Sequence, residues 1–120
     1  MRILVADDDA DVCSLLRRAL GPPFEITTVH DARGALELAG DDAFALIITD
    51  ALLPGASSLQ LIRELRARPR RSPLPILMLS GRVTRSPDAG AVAAEADAVL
   101  EKPFTLAALR ATVRALIAAP

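Results

Sequence analysis

The 120 residues read as a single domain spanning 1–120, long enough for a real core. A formal net charge of −1 gives no overall field to draw in nucleic acid or an anionic membrane surface, and no apolar run approaches bilayer-spanning length. Hydrophobic residues make up 52% of the chain, yet Trp and Tyr are absent and there are only three Phe, so the core must be aliphatic.

Apolar strands alternate with helical patterns along the chain. "RILVA" (2–6) reads as a buried strand, followed from Ala10 to Leu20 by a helix with Val12, Leu15, Leu16 and Ala19 at helical spacing. Asp9 is its expected N-cap, and "GPP" at 21–23 its stop. "FEITTV" (24–29) is a second strand, favoured by Thr and Val, and "ARGALELAG" (32–40) a short helix capped by Asp31. "FALIIT" (44–49) is almost wholly apolar, as a strand covered on both faces should be. "SLQLIRELRAR" (58–68) is an amphipathic helix and "PILML" (75–79) the fourth strand. A short Ala-rich helix is expected around 86–94, with Ser86 as cap and Pro87 at its first position. "DAVL" (97–100) is a fifth strand, and "LAALRATVRALIA" (106–118) a last helix capped by Thr105.

Five strand–helix units in strict alternation imply an α/β domain with a parallel sheet and right-handed crossovers. The basic stretch "RARPRRSP" (66–73) has no interleaved aromatic for base stacking, so it reads as a solvated loop and no direct nucleic-acid binding is expected. The single Cys13 rules out an internal disulfide, and the first residues lack the features of a signal peptide. A soluble cytoplasmic protein without membrane attachment is the expectation. Cys13 and His30 are assigned no chemistry: the first is a small apolar helix residue, and the second lacks a metal-spaced partner.

In open parallel sheets, ligands bind beyond the carboxyl ends of the strands. There this sequence puts Asp7 and Asp8, Asp50, Ser80 and Gly81, and Lys102, the sole lysine. Three carboxylates around one pocket suit a hard divalent cation with oxygen ligands, most simply Mg²⁺. Asp50, ending the most buried strand, is suited to attack phosphorus, since carboxylates form acyl phosphates. Lys102 would be a second counter-charge and Ser80 a hydroxyl donor, and phosphoryl transfer needs little beyond such positioning.

These residues resemble the receiver domain of two-component response regulators. The resemblance covers essentially the whole chain and rests on "ADDD", "IITDALLPG" (47–55), "PILMLSG" (75–81) and "EKPF" (101–104), in order at the strand ends. It implies a flavodoxin-like, doubly wound five-stranded parallel sheet with helices on both faces. It implies that Asp7 and Asp8 bind the metal, that Asp50 is the phosphoacceptor and a metal ligand, and that the Leu52 carbonyl is a further ligand. Ser80 looks like the switch hydroxyl, Gly81 a backbone N–H for the phosphoryl oxygen, and Lys102 the phosphate-contacting lysine, followed by a bond to Pro103 that is often cis. Such a domain catalyses only its own phosphorylation and dephosphorylation. Its implied partners are a sensor histidine kinase or phosphotransfer protein, and a downstream protein bound through the 86–118 face.

Some positions depart from the family pattern. Val99 stands where an aromatic usually gates the pocket, and Glu95 where a Gly usually ends the fourth helix. Leu52 and Arg82 occupy two positions that tune loss of the phosphoryl group, and Leu52 cannot orient a water. Val99 and Glu95 motivate an alternative: a pseudo-receiver-like, constitutive interaction module with an uncoupled switch. A haloacid-dehalogenase-type phosphatase needs a second Asp where Leu52 stands. A flavin phosphate needs a Gly/Ser/Thr-rich loop where this chain is acidic.

Overall fold

The computed structural model describes residues 1–40, 43–68, 73–81 and 89–118, with Ala89 and Ala93 described for their backbone alone. In chain order the elements are β1 (Arg2–Ala6), α1 (Ala10–Leu20), β2 (Glu25–Val29), α2 (Ala32–Ala39), β3 (Phe44–Asp50), α3 (Ser58–Ala67), β4 (Ile76–Ser80), α4 (Ala89–Glu95), β5 (Ala98–Glu101) and α5 (Leu106–Ala118). The strands form one parallel sheet in the order β2-β1-β3-β4-β5. No described helix is long and apolar enough to cross a membrane.

Alternation along the strands divides the core between the two faces. Ile3 and Val5 of β1 pack with Leu46, Ile48, Leu77 and Leu79 beneath α1 and α5, where Cys13, Leu16, Leu109 and Val113 cover them. Leu4 and Ala6 point the other way, onto Ala35, Leu61, Ile62 and Val92 from α2, α3 and α4. Phe44 and Ile47 share this second face although they lie three apart, which strict alternation forbids. A register shift resolves this: Arg2 pairs with Phe44 but Ile3 with Leu46, leaving Ala45 over as a bulge.

Helix starts follow the sequence. Asp9 accepts from the Asp11 N–H at 2.9 Å, Asp31 from Gly34 at 2.7 Å, and the Thr105 hydroxyl from Ala108 at 3.0 Å. Ser57 caps α3 in the same way, accepting from Gln60 at 3.1 Å. Some strand bounds shift by one residue for local reasons. Pro75 has no N–H to pair, although its carbonyl accepts from Ile47 at 3.0 Å, so β4 runs from Ile76 through Ser80. Asp97 turns its carboxylate to the Ile76 N–H at 2.7 Å and to Arg66 at 2.6 Å, and β5 begins after it.

Ser86, Pro87 and Arg82 lie outside the described residues. No described residue other than glycine has a positive φ, so Glu95 does not adopt the left-handed conformation of a helix-ending Gly. Instead Ala96 continues the helical pattern with a bond to the Val92 carbonyl at 2.9 Å, and the Glu95 carboxylate takes Arg63 of α3 at 3.2 Å.

Candidate functional site

Parallel strands present their carboxyl ends on one edge, and the polar residues singled out in the sequence stand there. Asp7 follows β1, Asp50 ends β3, Ser80 ends β4 with Gly81 after it, and Lys102 follows β5. Backbone bonds beyond the strands hold these positions: Asp7 N–H to Val29 O at 3.0 Å, Ala51 N–H to Leu79 O at 2.9 Å, and Lys102 N–H to Ser80 O at 2.7 Å.

Asp7 is fully buried. Its Oδ1 accepts the Asp9 N–H at 2.9 Å, whereas Oδ2 is buried without a hydrogen-bond partner. The nearest compensation for Oδ2 is Lys102 Nζ at 3.7 Å, an ion-pair distance too long for a hydrogen bond. Burial pushes the Asp7 carboxyl above the usual aspartate range; the Asp9 N–H and Lys102 pull it down, and the charges of Asp50 and Asp8 push it up. Asp8, beside it, is exposed.

Asp50 is largely covered, with 13% of its side chain exposed. Its Oδ1 accepts the Leu52 N–H at 3.2 Å, while Oδ2 lies 3.7 Å from Lys102 Nζ. One ammonium thus reaches two carboxylates from different strands. The Leu52 residue is 61% exposed, so its side chain projects from the turn that starts with Asp50. That turn closes through Gly55, whose φ of 101° suits a residue without Cβ. Ser80 and Gly81 are half-buried, with Ser80 Oγ 3.4 Å from the Gly81 carbonyl. The Lys102–Pro103 bond is cis, as is Pro22–Pro23. Val99, in β5, is 42% exposed.

The donor set can be tested for a metal directly. Carboxylate oxygens of Asp7, Asp8 and Asp50 all lie within 4.8 Å of one another. Oxygen donors at about 2.1 Å around an octahedral Mg²⁺ span comparable distances, and such ions commonly keep several waters. Hard oxygens alone, with a buried Asp7 Oδ2 that lacks a hydrogen bond, fit a hard divalent cation. When ionised, the three carboxylates face one ammonium, an excess of negative charge that such a cation would offset.

Two side chains given no role from the sequence meet this site from outside. His30 Nδ1 lies 3.0 Å from the Asp7 carbonyl oxygen, and Cys13 Sγ lies 3.6 Å from the same atom. Burial first, and then the Asp7 charge, push the Cys13 thiol up, so it stays an S–H group. The signal for His30 was register: Ala6 pairs with Val29, which puts the next residues of the two parallel strands side by side.

Comparison with known proteins agrees with this arrangement. A family model described as the response regulator receiver domain matches residues 3–114. Response regulator MprA of Mycobacterium avium is 37% identical over 118 residues, covering 98% of this chain and 51% of that protein. The chain thus spans about half the length of the curated relatives it matches. A Chloroflexus aurantiacus structure described as a response regulator superposes with a TM-score of 0.86 at 30% identity, covering 98% of both chains. The receiver domain of sensor histidine kinase PA1611 from Pseudomonas aeruginosa, solved with a magnesium ion coordinated in its active-site cleft, superposes with a TM-score of 0.83 at 26% identity, again covering 98% of both. With the sheet order, the acidic strand ends and these likenesses in agreement, the chain belongs to the response regulator receiver domain family.

Proposed function

We propose that this domain is a phosphoacceptor switch in two-component signalling, with Asp50 as the acceptor. One observation carries the reading: Asp7, Asp8 and Asp50 converge from distant segments to within 4.8 Å, and Lys102 Nζ stands 3.7 Å from both Asp7 and Asp50. Asp7, Asp8, Asp50 and the Leu52 carbonyl would hold Mg²⁺, which when bound offsets charge on the phosphoryl group. A carboxylate oxygen of Asp50 attacks phosphorus, forming an acyl phosphate as the bond to the donor breaks. Lys102 balances the growing negative charge, and the Ser80 hydroxyl and the Gly81 N–H donate to phosphoryl oxygens. The activity is regulatory, limited to the domain's own phosphorylation and dephosphorylation.

A sensor histidine kinase or phosphotransfer protein is the proposed donor, in the cytoplasm, and the α4–β5–α5 face the proposed output surface. The shared sheet and two core clusters support treating 1–120 as a single receiver unit. Incubation with acetyl phosphate tests the reading. Intact mass should rise by one phosphoryl group with Mg²⁺ present and stay unchanged in excess EDTA; no gain under either condition contradicts it.

Exposed Val99 favours a second reading, in which the domain binds its partner constitutively and the switch is uncoupled. A branched aliphatic side chain cannot swing inward to fill a pocket as a ring does. Phosphorylation that leaves the amide spectrum of β5 and α5 unchanged supports uncoupling, whereas shifts spread over that face support the switch.

A further inference from the structure

We propose that His30 is a positioning residue for the acidic pair, holding the Asp7 carbonyl so that Asp7 and Asp8 present their carboxylates to a divalent cation. This rests on the reading of those two acids as metal-binding.

The chain leaves the β1–β2 ladder at Ala6, and the Asp7 N–H makes a last backbone bond to Val29 O at 3.0 Å. The Asp7 carbonyl is bound instead by side chains. A carbonyl has no proton to give, so the His30 nitrogen 3.0 Å away must be the donor, which requires the hydrogen on Nδ1. Cys13 adds a weaker S–H contact from α1 at 3.6 Å. The oxygen is thereby held from the β2 side and from the α1 side.

Peptide planarity carries this restraint to Asp8. The Asp7 carbonyl and the Asp8 N–H and Cα share one plane, so fixing the oxygen sets the direction in which Asp8 leaves. Asp8 has few other restraints: it is exposed, and among the described residues its carboxylate has no hydrogen bond or ion pair. The Asp7 carboxylate is already held by the Asp9 N–H. His30 therefore acts where the pair is least constrained. Mg²⁺ demands near-ideal octahedral geometry, so small errors in ligand direction reduce affinity.

The test compares wild type with His30→Phe, which keeps a ring but no donor, and His30→Asn, whose Nδ2 occupies the place of the imidazole Nδ1. Mg²⁺ binding is read by calorimetry, because the chain has no Trp or Tyr to report it by fluorescence. His30→Phe should weaken Mg²⁺ binding about tenfold, and His30→Asn should restore it to within about threefold of wild type. His30→Phe leaves the buried Asp7 carbonyl with the Cys13 contact alone, so it should melt somewhat below wild type in EDTA, whereas His30→Asn should melt like wild type. Equal Mg²⁺ affinity in all three overturns the proposal, as does equal weakening by Phe and Asn. If wild type itself binds no Mg²⁺, the metal-site reading fails, and this inference with it. Long-range ¹H–¹⁵N spectra of the neutral imidazole give a check independent of any variant: hydrogen on Nδ1 is expected, and hydrogen on Nε2 overturns the assignment.

Discussion

Replacing Asp7 with Asn separates the cost of a buried charge from its use. Asp7 Oδ2 is buried without a hydrogen bond, and Lys102 at 3.7 Å compensates it only in part. Leaving a buried polar atom unpaired costs about 1–3 kcal/mol, and more when it is charged. In Asp7→Asn, Oδ1 can keep the Asp9 N–H while the new amide donates toward Asp50 and Asp8, and the Lys102 attraction is lost. The expected balance in EDTA at about pH 7 is a gain of about 1–2 kcal/mol. The pH dependence follows from the direction of the Asp7 shift. Because burial raises its folded-state pKa, its favourable contribution is complete below 3.8, the ordinary aspartate value, and is lost as pH rises through the folded-state pKa. The advantage of Asn should therefore be largest near neutrality and vanish toward acid. Mg²⁺ reverses the order, since a ligand at a hundredfold excess over Kd stabilises the protein that binds it by about 2.7 kcal/mol. Urea denaturation followed by far-UV circular dichroism measures each case. A variant less stable than wild type in EDTA near neutral pH, or a gain that does not change with pH, refutes the reasoning.

Lys102→Ala should slow labelling by a small phosphodonor about 10- to 100-fold, read as the rate of mass gain, because it removes the cation that faces Asp50; an unchanged rate contradicts the role proposed for Lys102. Leu52→Asn places a polar group beside the acyl phosphate, able to orient water, and should shorten its lifetime about tenfold, or ~1.4 kcal/mol in the barrier. Decay of the labelled mass after donor removal measures this, and equal decay in both proteins excludes Leu52 as a control on hydrolysis. Arg66→Ala loses bonds to Leu74 O at 2.9 Å and Asp97 at 2.6 Å and should destabilise the fold by about 1–2 kcal/mol in urea, discounted because both side chains are about one-third exposed. Labelling of that variant should be unaffected, since Arg66 lies among contacts at the amino ends of β4 and β5, opposite the acids.

The site was legible because alternation dictates topology, and topology dictates which ends converge. Asp7, Asp50, Ser80 and Lys102 could be put on one edge simply because each follows an apolar run in a parallel sheet. Caps at Asp9, Asp31 and Thr105 were legible for a related reason: a side-chain acceptor two or three residues ahead of an N–H is a local event. Contacts between distant segments were not. The bulge at Ala45 needs β1 and β3 in register before it exists, and nothing in "FALIIT" marks it. Asp97 reads as the first residue of a strand until Arg66 and the Ile76 N–H claim its carboxylate. His30 had no metal-spaced partner in sequence, and its neighbour across the ladder, the Asp7 carbonyl, is a backbone atom that residue types cannot reveal. Arg82, which by the family resemblance occupies a position that tunes loss of the phosphoryl group, lies outside the described residues.

The central claim is that the acidic cluster delivers a phosphoryl group to Asp50, and locating the modification tests it most directly. Protein labelled with acetyl phosphate and Mg²⁺ is reduced with borohydride, which converts an aspartyl phosphate to homoserine, and then mapped by peptide mass spectrometry. Homoserine at position 50 alone, with no labelling of Asp50→Asn, is the predicted result. Homoserine at Asp7 or Asp8, or full labelling of Asp50→Asn, would contradict it.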